Sequence, residues 1–269
     1  MQLHRIGAVV LLWVWSGGAA LPSRIFSHAS KVIRPFHNAV PGRLTGAGCA
    51  AHRDPADYAP SIVTKPSIFV RTTAAMALIS APLGMLLDNQ HGLFGVLEYA
   101  HPLQLTAFGK VVLKTAIWVP ALFGFAGFAM SAIVLVLDDL LRTLPRKRAP
   151  SWPRVLYGIS AFSVQYYVSG LLDAVLREPS GIVTHATLAA MAAAGFDIFD
   201  GTVAGFLLAV ATAVAGPVTE VLLINVAHLY TYTHADAFGV CSWIPYVYFM
   251  GAPAVANLAR KVLTTVPRD

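Results

Sequence analysis

Charge is what this 269-residue sequence has least of: 12% of its residues are Asp, Glu, Lys or Arg, 57% are hydrophobic, and mean hydropathy is +0.65. Soluble domains carry about 25% charged residues. A chain so poor in charge cannot cover itself with polar surface, so the composition points to an integral membrane protein. Cysteine is nearly missing as well. Cys49 and Cys241 are the only two, too few for a disulfide framework and without metal-ligand spacing. No nucleophile elbow, Walker loop, HExxH, dinucleotide fingerprint, CxxC or glycosylation sequon occurs. Without these signatures, no catalytic activity, cofactor or metal is expected. Acid is missing from one region altogether: residues 1–53 hold six basic residues and no Asp or Glu, while the remaining thirteen basic residues are matched by thirteen acidic ones. The net charge of +6 therefore belongs to the leader. A nucleic-acid partner is not expected, because it would need Lys and Arg clustered on a folded face.

The leader has its own pattern. Arg5, the apolar run Ile6–Trp15 and the small residues Ser16–Ala20 have the three parts of a secretory signal, which sets residues 1–20 apart as signal-like. Residues 21–66 are rich in Ser, Arg, His, Gly and Pro, a transit-like composition. Together they resemble bipartite leaders of algal plastids; the alternative is an uncleaved, disordered arm. The membrane domain is expected over residues 67–264.

Six hydrophobic stretches follow, each near the roughly 20 residues that cross a bilayer: Ile68–Leu87, Thr115–Leu137, Val155–Leu172, Ile182–Phe199, Thr202 to about Tyr230, and Asp236–Lys261. The expected fold is all-α, a six-helix membrane bundle. The segment from Asp88 through Gln104, with His91, Glu98 and His101, reads as a solvated loop. Gly124 and Gly127, and the Ala-rich centre of the fourth stretch, read as packing faces, since small residues let helices approach closely. Lys65, Arg71, the group Arg142–Arg154, Arg260, Lys261 and Arg268 fall on one side. That bias makes this the cytosol-like side and puts both ends of the membrane domain there.

Among polar residues, Glu220 stands out, because an intramembrane carboxylate is costly and is a functional-site candidate by default. With Pro217 before it and Asn225 after it, Glu220 can serve a proton or substrate path, or act as a hydrogen-bonded packing residue; both readings stay open. His228, His234 and Asp236 form a weaker metal-ligand set at a span end, where interfacial histidines are ordinary. Asp200 lies at a helix end, the usual place for a solvated acid.

The last stretch, Phe238–Gly251 with its Ser-Trp-Ile-Pro, followed by Asn257-Leu-Ala-Arg260, resembles the final span of the Insig (insulin-induced gene) family. Ala116-Ile-Trp-Val-Pro120, Thr187-Leu-Ala-Ala190, Phe199-Asp200 before Gly205-Phe206, and Thr219, Leu222 and Asn225 are similar to that family too. The resemblance covers roughly Phe69 to Leu263. It departs at Val183, at Tyr166-Tyr167 and at Gly201–Ala204. It implies a six-span endoplasmic-reticulum protein without catalytic activity that binds a sterol or other lipid. The implied partner is a polytopic membrane protein with a sterol-sensing region, of Scap or HMG-CoA reductase type. By resemblance, Phe162 and Thr187 face the sterol and Asp200 binds the partner. The alternative from the residues alone is a small carrier using Glu220 and Asn225, in a plastid envelope if the leader is bipartite.

Overall fold

The computed structural model describes residues 65–141, 149–177 and 181–266. The signal-like segment, residues 21–64 of the transit-like one, Arg142, Arg146, Lys147, Arg148 and Arg268 lie outside the described residues. Six helices make up the bundle: α1 (Pro66–Phe94), α2 (Val119–Leu141), α3 (Trp152–Leu176), α4 (Ile182–Phe199), α5 (Val203–Asn225) and α6 (Ile244–Thr265). Proline marks the first turn of α1, α3 and α6. It is suited to that position, since its missing N–H has no intrahelical partner there anyway. Short strands occupy the connections: β1 (Leu97–Tyr99), β2 (Leu103–Ala107), β3 (Lys110–Thr115) and β4 (Tyr230–Tyr232).

Five of the helices, α1 to α5, are long and apolar enough to cross a membrane. The sixth falls short by composition because it carries Asn257, Arg260 and Lys261, and its position explains how it can. Helix α6 packs against all five others, and fourteen of its 22 residues are buried. A helix sheathed in protein does not need a lipid-compatible surface, and its polar groups find partners on its neighbours. The glycines that read as packing faces are where helices close in. A methyl group added at Gly124 would lie 3.3 Å from the Ala77 carbonyl oxygen, and one added at Gly127 would lie 3.0 Å from that of Met76, so α1 and α2 meet backbone to backbone.

The segment expected to be a loop after the first span is a correction. Helix α1 runs seven residues beyond Leu87 before Gly95 ends it in the left-handed region, φ 71°. Asn89, Gln90, His91 and Gly92 are buried rather than solvated. Tertiary bonds hold this polar turn. Asn89 Oδ1 accepts from the Lys114 backbone N–H at 2.7 Å, and its Nδ2 donates to the Val112 carbonyl. Ser169 Oγ donates to the Tyr166 carbonyl, so the 2.8 Å contact between His91 Nε2 and Ser169 Oγ is a histidine N–H donating. Beyond it lies a hairpin that begins at the end of the expected loop: β2 pairs antiparallel with β3 around Phe108-Gly109. Both turn residues have positive φ, 52° and 73°, the requirement of a two-residue hairpin turn that follows the strand twist.

The second two-stranded sheet joins distant parts of the chain, with Leu97 opposite Tyr232 and Tyr99 opposite Tyr230. Side chains alternate across a strand, and here the alternation is strict: Leu97, Tyr99, Tyr230 and Tyr232 are buried while Glu98 and Thr231 are exposed. This ribbon covers one end of the bundle and turns three aromatic residues inward.

Candidate functional site

Two polar centres are built into the bundle, one at each end. The first gathers the ends of α2, α4 and α6 with the starts of α3 and α5. Arg260, 3% exposed, grips Asp138 with a two-pronged bond, Nε to Oδ2 at 2.8 Å and Nη2 to Oδ1 at 2.9 Å. Its Nη1 donates to Asp200 Oδ2 at 2.8 Å, and Nη2 also reaches Thr202 Oγ1 at 3.2 Å. Asp200 ends α4, and Gly201 follows in the left-handed region at φ 69°. Asp200 Oδ1 then accepts from the backbone N–H and hydroxyl of Thr202, while Thr202 Oγ1 accepts from Gly205 N as the N-cap of α5. The last carbonyls of α4 are satisfied from outside. Asn257 Nδ2 and Arg154 Nε donate to Phe199 O, and Arg154 Nη2 donates to Ile198 O. One planar guanidinium thus fixes the α4–α5 corner against α2 and α6, a geometry that an ammonium could not supply. The Asp200 side chain is wholly buried: it shapes the corner from within and presents no carboxylate to the surface.

The second centre lies under the β1–β4 ribbon. Glu220, 8% exposed, accepts two phenol hydrogen bonds, from Tyr232 at Oε2 and from Tyr248 at Oε1, both 2.8 Å. Asp88, at the polar end of α1, accepts from the Tyr99 hydroxyl. Both carboxylates line a cavity of about 40 Å³ together with Tyr99, Trp118, Tyr230 and Tyr232. Burial pushes the phenols of Tyr99, Tyr230 and Tyr232 well above the ordinary tyrosine range, which keeps them protonated donors. The aromatic rings form a continuous wall: Trp118 stacks on Tyr230 with centroids 5.8 Å apart, and Tyr99 meets Trp118 edge-on at 6.0 Å. Asn225, coupled with Glu220 in the sequence reading, is elsewhere. It is the exposed last residue of α5 and donates to Val221 O and to Phe238 O, anchoring the loop before α6.

Of the histidines proposed with Asp236 as a metal-ligand set, His228 is exposed, at positive φ, while His234 is bonded. His234 Nδ1 donates to Asp173 Oδ2 at 2.9 Å, and the buried Cys241 thiol approaches Asp173 Oδ1 at 3.9 Å. Among the described residues no group of three His, Cys, Asp or Glu is arranged to hold a metal ion. His185, Ser242 and Asp236 also meet, but in an order unlike a catalytic triad. Ser242 Oγ donates to Asp236 Oδ2 at 2.6 Å and lies 3.1 Å from His185 Nε2. The serine proton is therefore committed to the carboxylate, and the imidazole is not placed to withdraw it, whereas a triad needs the histidine between the other two. This cluster ties the start of α4 to the loop leading into α6.

Phe162 and Thr187 occupy α3 and α4 and are each half-buried. Phe162 packs over Gly251, where an added methyl would lie 3.0 Å from its ring, and meets Tyr166 edge-on. Gln165, one turn further on, donates to Leu188 O and Tyr246 O, so α3, α4 and α6 are bonded together beside Phe162. The sequence reading passed over Asp88, Asp138, Arg260 and the inward tyrosines. Arg260 counted only among the basic residues of the cytosol-like side; the signal available was that opposite charges, Asp138 and Arg260, terminate two spans on that side. Tyr230-x-Tyr232, an aromatic alternation beside a carboxylate, was the trace of the second centre.

No protein-family model matches the chain. The insulin-induced gene 1 protein of Danio rerio is 30% identical over 162 residues, 59% of this chain and 62% of that relative, so the chain spans less than two thirds of its length in this match. The Bos taurus protein of the same name is 24% identical over 251 residues, 91% of this chain and 82% of the relative. Among solved structures, a mycobacterial Insig homolog, MvINS from Mycobacterium vanbaalenii, superposes with a TM-score of 0.57 at 21% identity, covering 74% of this chain and 97% of that one. That likeness shows the fold. In sequence this chain is similar to the insulin-induced gene 1 proteins, and in fold to a mycobacterial Insig homolog, as a divergent relative of both.

Proposed function

We propose that this protein is a non-enzymatic, multi-pass regulator of the endoplasmic-reticulum membrane. It binds a sterol or other lipid beside α3 and α4, and it retains or regulates a polytopic partner carrying a sterol-sensing region, of Scap or HMG-CoA reductase type. Kinship with insulin-induced gene 1 proteins carries this reading. The geometry supports it in one respect: the strongest polar bonds hold helix ends in register rather than arming a nucleophile. In this reading Phe162 and Thr187 contact the lipid. Asp200 acts on the partner through the α4–α5 corner that it and Arg260 hold.

Affinity purification of the tagged full chain from gently solubilised native membranes tests the partner, and labelling with a photoactivatable sterol tests the ligand. A sterol-sensing membrane protein is expected to co-purify and to be lost with Asp200→Ala. The label is expected on α3 and α4 and to be displaced by unlabelled sterol. Co-purification that Asp200→Ala leaves unchanged, or label spread evenly over lipid-facing helices, would sink the reading.

A further inference from the structure

The β2–β3 hairpin carries an apolar face that none of the described residues covers. Leu103, Gln104, Leu105 and Thr106 alternate apolar and polar, the pattern of a strand with one face buried. Yet Leu103 and Leu105 are 52% and 55% exposed. Cross-strand partners share a face, so Gln104 lies with Lys114, while Leu105 lies with Leu113 on the opposite face. The tip adds Phe108, 96% exposed at φ 52°. The left-handed region disfavours so bulky a side chain, and Asn or Asp is the usual residue ahead of glycine in such a turn. At that exposure Phe108 gains no packing from the described residues to offset the strain.

The neighbouring ribbon orients the hairpin. Lys114 Nζ donates to both Glu98 oxygens at 2.9 Å, and Glu98 stands on the outer, exposed side of the β1–β4 ribbon. The face of Gln104 and Lys114 therefore looks to water, and the leucine face looks the other way, toward the bilayer. Helix register sets the depth. Gly84 of α1 lies against the Phe123 ring of α2, so the start of the antiparallel α2, four residues before Phe123, stands about level with Asp88. The last turns of α1, Asp88–Phe94, then rise about 10 Å further at 1.5 Å per residue, into the headgroup region. Strand β3 is fixed to this projecting end. Asn89 bonds Val112 O and Lys114 N, and a methyl added at Gly92 would lie 3.1 Å from Lys114 O. Exposed Leu93 and Ile117 make the hairpin continuous with the lipid-facing surface of α1 and α2.

We infer that the β2–β3 hairpin lies in the membrane interface, its leucine face and Phe108 set into the phospholipid of the surrounding bilayer where headgroups meet acyl chains. Lys110, exposed beside the tip, reaches the phosphates while its stem covers apolar surface. Amphipathic elements with an aromatic anchor and basic flank bind this zone by apolar burial and charge attraction together. Because the hairpin links α1 directly to α2, lipid contact here holds that end of the helix pair at a fixed depth.

The test is site-directed fluorescence quenching of the full chain in phosphatidylcholine nanodiscs, which leave both membrane faces open to solvent. Gln104→Cys, Leu105→Cys and Phe108→Cys are labelled singly with a fluorophore in a Cys49→Ser background, Cys241 being buried. Labels at positions 105 and 108 are expected to be quenched by phosphatidylcholine bearing a nitroxide high on its acyl chain and spared by aqueous iodide. The label at position 104 is expected to show the reverse order. Phe108→Asn, which suits the turn and removes the anchor, is expected to reduce lipid quenching at position 105 and raise iodide quenching there. Its Tm in detergent should stay level or rise, which separates lost membrane contact from lost fold. Iodide quenching at positions 105 and 108 equal to that at 104 would overturn the inference. So would labels shielded from both quenchers, which would mean that protein covers the face, or lipid quenching at position 105 that Phe108→Asn leaves unchanged.

Discussion

Replacing Arg260 by methionine keeps much of the side chain's volume and removes its charge. In the folded protein that leaves Asp138 and Asp200, whose side chains are 9% and 0% exposed, facing each other without the guanidinium that bonds both. Removing one partner of a buried ion pair costs about 3–5 kcal/mol, because the remaining charge is stranded rather than merely unpaired. For a domain of roughly 200 residues each kcal/mol moves Tm by about 2–4 °C, so the expected loss lies between about 6 and 20 °C. Thermal unfolding followed by tryptophan fluorescence in detergent reads this directly. Arg260→Lys should fall between wild type and Arg260→Met, since an ammonium restores the charge but cannot fork onto Asp138 while reaching Asp200. The argument also requires a rescue. Asp138→Leu and Asp200→Asn added to Arg260→Met remove the stranded charges while keeping an acceptor for Thr202, and should recover most of the lost stability. A loss below about 1 kcal/mol in Arg260→Met, the size of an exposed pair, would refute the lock, as would a triple variant no more stable than the single one.

Other perturbations separate the remaining contacts. Gly127→Leu forces side-chain atoms into the α1 backbone, where an added methyl already lies 3.0 Å from Met76 O, and overpacking of this kind costs about 1–3 kcal/mol; Tm should fall accordingly. Asn257→Ala removes a 2.6 Å bond to Phe199 O that Arg154 also serves. Because the carbonyl keeps a partner, the loss should stay near about 1 kcal/mol, and a much larger one would mean that Asn257 does more. Glu98→Gln breaks the Lys114 pair on a side chain 58% exposed, so stability should change by less than about 1 kcal/mol and the effect should fade with added salt. Burial, reinforced by Asp173, pushes the Cys241 thiol above its ordinary value, so the folded chain holds the proton after the unfolded chain has released it. Its stabilising contribution is full below about pH 8.5 and declines above. In a Cys49→Ser background, maleimide should reach Cys241 only on unfolding, and rapid native labelling at about pH 9 would contradict the burial.

The sequence by itself determined the class of protein, the number of helices and their packing faces, because these depend on local quantities. Charge scarcity, runs of about twenty apolar residues and glycine spacing are all properties of contiguous residues. The resemblance to the Insig family was legible for the same reason, lying in short motifs on α2, α4, α5 and α6. Tertiary structure decided what the polar residues do. Asp88–Gly92 reads as a loop because its composition is polar, yet it is helical and buried because Lys114, Val112 and Ser169, which bond it, are distant in sequence. Arg260 ends an apolar run and reads as a topological stop, but α6 is enclosed by the other five helices, and enclosure converts a surface charge into a buried fork between Asp138 and Asp200. Glu220 was visible as an anomaly, while its partners Tyr232 and Tyr248, and the second carboxylate Asp88, converge on it from α6, β4 and α1. Linear patterning records which residues must avoid water or lipid. It does not record which polar groups will find one another once the helices are packed, and both polar centres of this protein are built from such meetings.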